Sequence, residues 1–262
     1  MTLLAGGGKI YTDLAARFVG SERSLEEIVA SPYSKEIVSR IINSGHKAAL
    51  EFDYFLFGIE GYSRVTETQL VRKRMASYMI KSGRNEKGGK RSFDVVLPRA
   101  IEDNIATIKL PAKMIKTKDG KSWEEKYPAE EVYFSYDAES LLKMTELWYQ
   151  SGIELGFLEE ELRYLKPQAT EFKAIVGMNA HALTDWFTIR CCMRAQSEIR
   201  DLANKMLKLC REAAPELFEN SGAACKVLGY CPENEMQHPN CKGKIVTKRR
   251  ALEIISMASK NA

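Results

Sequence analysis

Apolar residues recur at steps of three and four between about Arg194 and Ala213, where they form one continuous stripe. The opposite side of this segment is charged, so the pattern predicts a long amphipathic helix that packs against the rest of the protein. Pro215 follows and prevents the helix from continuing. Similar but shorter patterns predict helices over 32–43, from Ser63 through Val71, from Asp137, over 158–165 and near 247–259.

Two other segments have the pattern of β-strands. Residues 52–59 are rich in aromatic side chains and predict a largely buried strand, and residues 172–178 alternate weakly between apolar and polar. Residues 85–91 predict a polar, glycine-containing loop, and 111–131 predict an exposed excursion. Since helices and strands do not alternate strictly, their order predicts an α+β fold. We expect a single domain over 1–262, with 215–262 as a cysteine-bearing C-terminal extension.

The composition is that of an ordinary globular protein, with 45% hydrophobic and 28% charged residues. No apolar run approaches the roughly 18 residues that a membrane-spanning helix needs. The first residues lack the basic region of a secretory signal. Six cysteines in such a chain are typical of reduced thiols rather than of a disulfide framework. We therefore expect a cytoplasmic protein with no membrane partner.

Positive charge is concentrated between Arg64 and Arg91, where nine Lys and Arg residues stand among few acidic ones. The net charge of the whole chain, +4, is too small to indicate nucleic acid by itself. The local charge suits a phosphate-bearing small molecule or a nucleic-acid backbone, and it also suits a solvated basic face.

The segment from Gln69 to Arg84 combines guanidinium groups, hydroxyls and a Ser-Gly step, all of which suit phosphate binding. It contains neither a P-loop nor a dinucleotide-binding glycine pattern. It resembles the signature R-H-R-x-x-S-x-N-x-x-S-x-R-Y of flavin-dependent thymidylate synthases, the ThyX family. Five positions match in register and three differ: Arg72, Arg74, Ser77, Ser82 and Arg84 match, whereas Lys73, Met79 and Asn85 replace the His, Asn and Tyr.

Two further motifs support this resemblance. Asn179-Ala180-His181 and the stretch from Ile189 to Arg200 are similar to the family's N-A-R followed by L-R-x-x-x-x-A-Q-x-E-I, with His181 in place of Arg. Upstream, Gly45-His46 and Glu51-Phe52 resemble the family's G-H-x-x-x-x-E-H, with Phe52 in place of the second His. The resemblance spans roughly residues 34–214.

The resemblance implies a role for each matched position. Arg190 corresponds to the active-site arginine that contacts and polarises the uracil ring, so it is the predicted catalytic residue. The predicted nucleotide-binding residues are Gln69, Arg72, Ser82, Gly83, Arg84, Arg163 and Arg190. The predicted FAD-binding residues are His46, Ala48, Arg72, Lys73, Arg74, Ile80, Asn179, His181 and Asp185. Ile80 replaces an acidic residue of the family, and Asp185 stands where Asn is frequent.

The resemblance also implies a ThyX-like fold, with a mixed sheet and long helices, and a reaction. That reaction is the reductive methylation of dUMP to dTMP with FAD, NADPH and the folate methylenetetrahydrofolate. The family uses no enzyme nucleophile, so Ser82 is expected to be a ligand and not an attacking serine. The family assembles as a homotetramer with active sites at subunit interfaces, and we expect no nucleic-acid partner.

The departures from the motifs leave two alternatives open. One is a ThyX-like methylase of another uracil nucleotide. The other is a homologue that binds flavin and nucleotide without turnover. The basic stretch alone would also suit an RNA- or DNA-binding protein, although the sequence contains no motif that reads nucleic acid.

Three cysteines and a histidine near the C-terminus have a spacing of interest for metal binding. Cys225, Cys231, His238 and Cys241 form C-x5-C-x6-H-x2-C, and three thiolates with one imidazole can bind zinc tetrahedrally. The spacing lacks the close C-x2-C pair that is typical of zinc sites. We therefore predict a loop with buried thiols and no metal site.

Overall fold

The computed structural model describes residues 1–7, 11–82, 94–98, 101, 105–109, 113–117, 119, 121–127 and 133–260. The chain forms two compact units. Unit 1 consists of Met1–Lys81 with Phe172–Ala262, and unit 2 consists of Ser82–Glu171. Among the helices of these described ranges, none combines the length and the apolar character that crossing a membrane would require.

Unit 1 is built on a four-stranded sheet. Its strands are β1 (Thr2–Ala5), β2 (Tyr54–Ser63), β3 (Ser77–Ile80) and β8 (Glu171–Asn179), and their order across the sheet is β1-β2-β8-β3. The pairs β1–β2 and β3–β8 are both antiparallel, with Leu3 opposite Phe57 and Tyr78 opposite Val176. Strand β3 therefore lies at one edge of the sheet, directly beside β8.

The helices of unit 1 follow the strands closely in sequence. They are α1 (Tyr11–Val19), α2 (Leu25–Ala30), α3 (Lys35–Asn43), α4 (Arg64–Leu70), α7 (Ala180–Arg190), α8 (Ser197–Ala213), α9 (Pro215–Phe218), α10 (Ala224–Leu228) and α11 (Lys248–Lys260). A 3-10 helix, Lys47–Phe52, precedes β2, and two short ones, Asn234–Met236 and Pro239–Cys241, lie between α10 and α11. Helix α4 begins directly after β2, and α7 begins directly after β8.

The core of unit 1 joins the sheet to α7 and α8. Alternate residues of β2, including Phe55 and Phe57, are buried, as expected when one face of a strand is covered. Helix α8 contributes the predicted apolar stripe, in which Ile199 and Met206 are fully buried. Phe218 packs edge-on against Phe55, with ring centroids 5.1 Å apart. Burial of each such side chain stabilises the fold by about 2 kcal/mol.

The described residues of unit 2 include two antiparallel strand pairs and two helices. Strand β4 (Ile105–Lys109) pairs with β7 (Tyr133–Asp137), and β5 (Lys113–Lys116) pairs with β6 (Trp123–Tyr127). Helices α5 (Ala138–Glu154) and α6 (Glu159–Leu162) follow, and a 3-10 helix, Arg163–Leu165, ends this region. The segment 111–131, which we predicted as an exposed excursion, thus contains β5 and β6.

The α+β prediction is confirmed, as are the two predicted strands and the predicted helices. The long helix begins at Ser197 and not near Arg194, because the side chain of Gln196 caps it by accepting the Ile199 N–H at 3.1 Å. Strands β1 and β3–β7 and helices α1, α2, α7, α9 and α10 are additions to the predicted elements. The predicted loop over 85–91 lies outside the described residues.

Candidate active site

The ends of α4 and α7 meet through a contact between Gln69 and Arg190. Arg190 lies in the last turn of α7 and Gln69 in the last turn of α4. Arg190 donates from Nη1 to Oε1 of Gln69 at 3.4 Å and from Nη2 to the backbone carbonyl of Gln69 at 3.2 Å. The structure thus joins two residues that the nucleotide-binding motifs selected separately, and Gln69 fixes the orientation of the guanidinium.

Arg72 adds a second positive charge to this region. Partial burial of the Arg190 guanidinium, and then the charge of Arg72, lower the pKa of Arg190. Neither Arg72 nor Arg190 forms an ion pair with a carboxylate of the described residues. We call these two residues the arginine pair. Because like charges repel, a bound anion or a polarised carbonyl oxygen would stabilise the arginine pair.

The loop that carries Arg72 is held by Tyr78 on β3. The Tyr78 hydroxyl lies 2.9 Å from the carbonyl oxygens of both Leu70 and Lys73, and its hydrogen bond to them fixes the backbone on either side of Arg72. Burial raises the pKa of Tyr78 from 10 to about 12, so the hydroxyl remains a donor even at moderately alkaline pH. Tyr78 is absent from the predicted site residues. Its position inside the basic motif is the only sequence signal, because its contact is with backbone atoms.

A second charged group surrounds Asp185 on α7. Asp185 Oδ1 lies 3.3 Å from Lys47 Nζ, and Asp185 Oδ2 lies 3.8 Å from Lys73 Nζ and 3.5 Å from His181 Nε2. His181 Nδ1 lies 3.1 Å from Glu51 Oε1. We call these five residues the Asp185 cluster. It brings together three predicted FAD-binding residues, and it adds Lys47 and Glu51, which the motifs did not select as site residues.

Asn179 starts the helix that carries this cluster. Its side-chain Oδ1 accepts the backbone N–H of Ala182 at 2.7 Å, which satisfies one of the free donors at the first turn of α7. The carbonyl group of this side chain is therefore engaged in helix capping. The amide nitrogen and the second lone pair of this oxygen remain for a contact with a cofactor.

An apolar groove of about 800 Å³ lies along α1 and the 3-10 helix Lys47–Phe52. Its lining includes the aromatic side chains of Tyr11, Phe18 and Phe52, together with the predicted FAD-binding residues His46 and Ala48. Phe52 is 63% exposed, so an aromatic face remains open to a ligand. The volume lies in the range of about 300–1,000 Å³ that is usual for small-molecule sites.

The 3-10 helix Lys47–Phe52 connects this groove to the Asp185 cluster. Ala48 and Phe52 line the groove, whereas Lys47 and Glu51 contact side chains of α7. One short element therefore presents an apolar surface and charged groups next to each other. This combination suits a ligand that has both a flat ring system and charged groups.

The other predicted residues fall into three groups. Arg74 and Ser82 are exposed, whereas Ile80 is partly buried and packs against the core of unit 1. Gly83 and Arg84 lie outside the described residues. Arg163 belongs to unit 2, where it is exposed in the 3-10 helix Arg163–Leu165.

The model of the family described as "Thymidylate synthase complementing protein" matches residues 11–216, which is most of the chain. The chain belongs to this family. The family predicted from the motifs is therefore confirmed.

Relatives that bear the name flavin-dependent thymidylate synthase are similar over most of their length. The one from Nitratidesulfovibrio vulgaris is 42% identical over 199 residues, which cover 76% of this chain and 72% of that protein. The one from Geobacter sulfurreducens is 35% identical over 227 residues, which cover 85% of each chain. The whole of the arginine pair and of the Asp185 cluster lies within the range that the family model matches.

The fold is that of a thymidylate synthase X. The crystal structure of thymidylate synthase X from Helicobacter pylori, which contains FAD and dUMP, matches the present chain with a TM-score of 0.56. The match covers 83% of this chain and 95% of the other, at 21% identity. The predicted ThyX-like α+β fold is confirmed. In this thymidylate synthase family member, the cysteine-bearing residues beyond 216 lie outside the matched range.

Proposed function

We propose that the protein is a flavin-dependent thymidylate synthase that reductively methylates dUMP to dTMP. The observation that carries the proposal is the arginine pair, in which Gln69 holds Arg190 beside the charge of Arg72. The names of the similar relatives support this reaction. Methylenetetrahydrofolate supplies the one-carbon unit, and NADPH supplies the reducing equivalents.

Arg190 is proposed to bind the uracil ring. Its contacts with Gln69 use two of the five N–H donors of a guanidinium, and three donors remain for the substrate. A fixed cation beside the ring carbonyl stabilises the negative charge that develops on the ring during the reaction. The residues proposed to surround the base, sugar and phosphate of dUMP are Gln69, Arg72, Ser82, Gly83, Arg84 and Arg163.

The groove and the Asp185 cluster fit FAD. The exposed face of Phe52 and the volume of the groove suit a flat ring, and the cations Lys47 and Lys73 suit a diphosphate. FAD supplies the hydride-carrying group when it is bound. The residues assigned to it are His46, Ala48, Arg72, Lys73, Arg74, Ile80, Asn179, His181 and Asp185.

A second candidate function is methylation of another uracil nucleotide. The structure shows the surroundings of two positions, Met79 and Lys73, at which the motif departs from the family signature. Met79 is 79% exposed on the edge strand β3, and Lys73 contacts Asp185. An altered surface beside the basic loop would change which sugar the site accepts, so UMP is the competing substrate to test.

We further propose that the protein is a cytoplasmic homotetramer and that 1–262 act as one catalytic domain with the extension 215–262. Exposed apolar side chains such as Phe52 and Trp148 support an assembly, because large exposed apolar surfaces are typical of interfaces. Free thiols support a reducing compartment. Light scattering of the purified protein tests the assembly, and a monomer at working concentration would contradict it.

The reaction is tested by absorbance spectroscopy of the purified protein. FAD is added first, then NADPH without oxygen, and then dUMP together with methylenetetrahydrofolate. We expect the flavin band to appear, to bleach, and to return only when both substrates are present. Return of the band with UMP but not with dUMP would favour the second candidate, and a flavin that stays bleached with either nucleotide would indicate a homologue without turnover.

A further inference from the structure

A carboxylate joins the first turn of α8 to the start of α4. Glu198 Oε1 accepts the backbone N–H of Ser63 at 2.6 Å, and Glu198 Oε2 accepts the Ser63 hydroxyl at 2.5 Å. Ser63 directly precedes α4 and is only 2% exposed. Both oxygens of one carboxylate therefore hold one buried residue, although the two residues are 135 positions apart in the sequence.

Ser63 does not use its side chain in the way that is usual for its position. A serine at the N-cap of a helix normally accepts a backbone N–H of the first turn. The Ser63 hydroxyl makes no such hydrogen bond to the described residues of α4, and it donates to Glu198 instead. The start of α4 is thus held by α8 and not by a cap of its own.

The other end of α4 carries the contact with Arg190. Gln69 lies six positions after Ser63, which corresponds to about 9 Å along the helix axis. One of the two hydrogen bonds of Arg190 goes to the backbone carbonyl of Gln69 at 3.2 Å. Since a backbone atom moves only with its helix, this contact depends on the position of α4 as well as on the Gln69 side chain.

Helix α8 also holds the loop that follows Arg190. Arg200 donates from Nη1 to the carbonyl oxygens of Met193 at 3.0 Å and Ala195 at 2.9 Å. Both carbonyls belong to the loop between α7 and α8. The beginning of α8 therefore contacts both elements that meet at Arg190, namely α4 through Glu198 and the loop after α7 through Arg200.

We propose that Glu198 is a positioning residue for Arg190. By fixing the start of α4, Glu198 places Gln69 where it holds the guanidinium of Arg190 toward the uracil ring. The effect on turnover rests on the proposed function, whereas the placement of α4 does not. Glu198 lies within the motif that ends at Arg200, but it is absent from the predicted site residues.

Packing also holds α4, because Thr66 and Leu70 are fully buried. Burial of apolar surface has no direction, however, whereas the two hydrogen bonds of Glu198 constrain both the distance and the direction of the helix start. Loss of Glu198 should therefore leave α4 folded but less precisely placed. A displacement of about 1 Å at a reacting group can lower a rate about 100-fold, so a smaller displacement of α4 is sufficient for a measurable effect.

Three substitutions at Glu198 separate its position from its charge. Glu198→Ala removes both acceptors, and we expect kcat to fall by about tenfold. Glu198→Gln keeps the length of the side chain and can pair with both the N–H and the hydroxyl of Ser63, so kcat should stay within about threefold of the wild type. Glu198→Asp keeps the charge but is one methylene shorter, and it should resemble Glu198→Ala. Turnover that survives in Glu198→Asp but not in Glu198→Gln would overturn the proposal.

Tyr62→Phe is the matched control for a loss of structure alone. The Tyr62 hydroxyl donates to Asp201 Oδ2 at 2.9 Å, so the substitution removes a hydrogen bond between α8 and the residue directly before Ser63. We expect both Tyr62→Phe and Glu198→Ala to lower the midpoint of urea unfolding, but only Glu198→Ala to lower kcat. An equal fall of kcat in the two variants would contradict a positioning role.

The action through Arg190 is tested by combining two substitutions. In an Arg190→Ala background, the residue that Glu198 positions is already lost. Adding Glu198→Ala should then leave kcat unchanged and still lower the midpoint of unfolding. A further tenfold fall of kcat in the double variant would show that Glu198 acts by a different route.

A measurement without turnover separates this inference from the proposed function. Phenylglyoxal modifies accessible guanidinium groups, and mass spectrometry gives the rate at each arginine. We expect Arg190 to react about threefold faster in Glu198→Ala than in the wild type or Tyr62→Phe, because Gln69 no longer holds it. The rate at Arg250, which pairs with Glu253 on α11, should not change.

The two failures are distinguishable. A chain that forms no dTMP would contradict the proposed function and would leave the comparison of Arg190 reactivity intact. Equal reactivity of Arg190 in the wild type and Glu198→Ala would overturn the positioning role, whatever the turnover. If Glu198→Ala does not fold, Ser63→Ala takes its place, since it removes only the hydroxyl donor, and the same changes should appear at a smaller size.

Discussion

The arginine pair and the Asp185 cluster place positive charge in opposite settings. Arg72 and Arg190 have no carboxylate partner among the described residues, and their mutual repulsion contributes to the lowered pKa of Arg190. In the Asp185 cluster, by contrast, Lys47 and Lys73 share one carboxylate. The first site needs a ligand to balance its charge, whereas the second is balanced without one.

This difference indicates how strongly each site depends on its charges. A cation that is oriented toward a reacting group acts in a site from which water is partly excluded. There, one preorganised hydrogen-bond donor stabilises the transition state by about 3–4 kcal/mol. Exposed ion pairs such as those of Asp185 are worth about 0–1 kcal/mol. Substitutions in the arginine pair should therefore have much larger effects than substitutions in the Asp185 cluster.

The largest effect is expected from Arg190→Ala. The substitution removes the cation held by Gln69, and we expect kcat to fall by about 100- to 1,000-fold while FAD still binds. Tritium release from labelled dUMP measures turnover, and the flavin spectrum measures FAD binding. Arg250→Ala is the control, because Arg250 is an exposed arginine on α11 that pairs with Glu253. Turnover near that of the wild type in Arg190→Ala would remove the arginine pair from the active site.

Arg72→Ala is expected to weaken dUMP binding by about 10- to 100-fold, since a hydrogen bond to a charged group is worth about 1.5–3 kcal/mol. Arg72→Lys should lie between the wild type and Arg72→Ala, because it retains the charge but loses the planar fork of donors. Calorimetric titration with dUMP measures these affinities. An unchanged affinity in both variants would show that Arg72 does not contact the nucleotide.

Tyr78→Phe tests whether stability and dUMP binding require the Tyr78 hydroxyl to hold the backbone on either side of Arg72. We expect the free energy of unfolding to fall by about 1 kcal/mol, and dUMP binding to weaken by a smaller factor than in Arg72→Ala. Tyr164→Phe is the control, since Tyr164 is 89% exposed. Urea unfolding and calorimetric titration measure the two effects, and a variant with wild-type values of both would contradict the assigned role.

The Tyr78 contribution should also depend on pH. Folding raises the pKa of Tyr78 from 10 to about 12, so the folded state favours the protonated hydroxyl. The contribution is therefore fully present below pH 10 and is lost as the pH rises toward 12. Urea unfolding over this range should show the wild type and Tyr78→Phe converging in stability. A constant difference up to the highest pH would indicate that the hydroxyl does not titrate there.

The smallest effect is expected from Asp185→Asn. Asp185 is assigned to FAD and also holds Lys47 and Lys73, so without the carboxylate we expect FAD affinity to fall by about threefold, which corresponds to about 0.6 kcal/mol. Asp201→Asn, the same exchange in an exposed ion pair of α8, should leave the affinity unchanged. Fluorescence quenching of FAD measures both. An unchanged or higher affinity in Asp185→Asn would remove the carboxylate from the proposed FAD site.

Local sequence patterns predicted those elements that are buried on one side. Helix α8 has a clear apolar stripe, and β2 has the composition of a buried strand, so both were predictable. Helix α7 was not predicted, although its buried residues Ala180, Leu183 and Phe187 recur at steps of three and four. Arg190, three residues after Phe187, places a charge on the same side and interrupts this short apolar stripe, even though the helix carries much of the site.

The motifs supplied the members of the site but not the contacts among them. Gln69 and Arg190 are 121 residues apart, and no periodic pattern connects them. Lys47 and Glu51 reach the site through side-chain contacts with α7, over 138 and 130 residues. Such contacts depend on how β2 and β8 position the helices that follow them, which is a property of the whole sheet.

Helix α7 also fixes the distance between His181 and Arg190. His181 stands near its beginning and Arg190 in its last turn, and a helix rises about 1.5 Å per residue, so their backbones are separated by about 14 Å. One helix thus holds the proposed flavin and uracil positions at a fixed distance from each other. One inserted residue between them would rotate Arg190 by about 100° around the axis and away from Gln69. An insertion or deletion between His181 and Arg190 would therefore disrupt the proposed site, whichever side chains occupy the two positions.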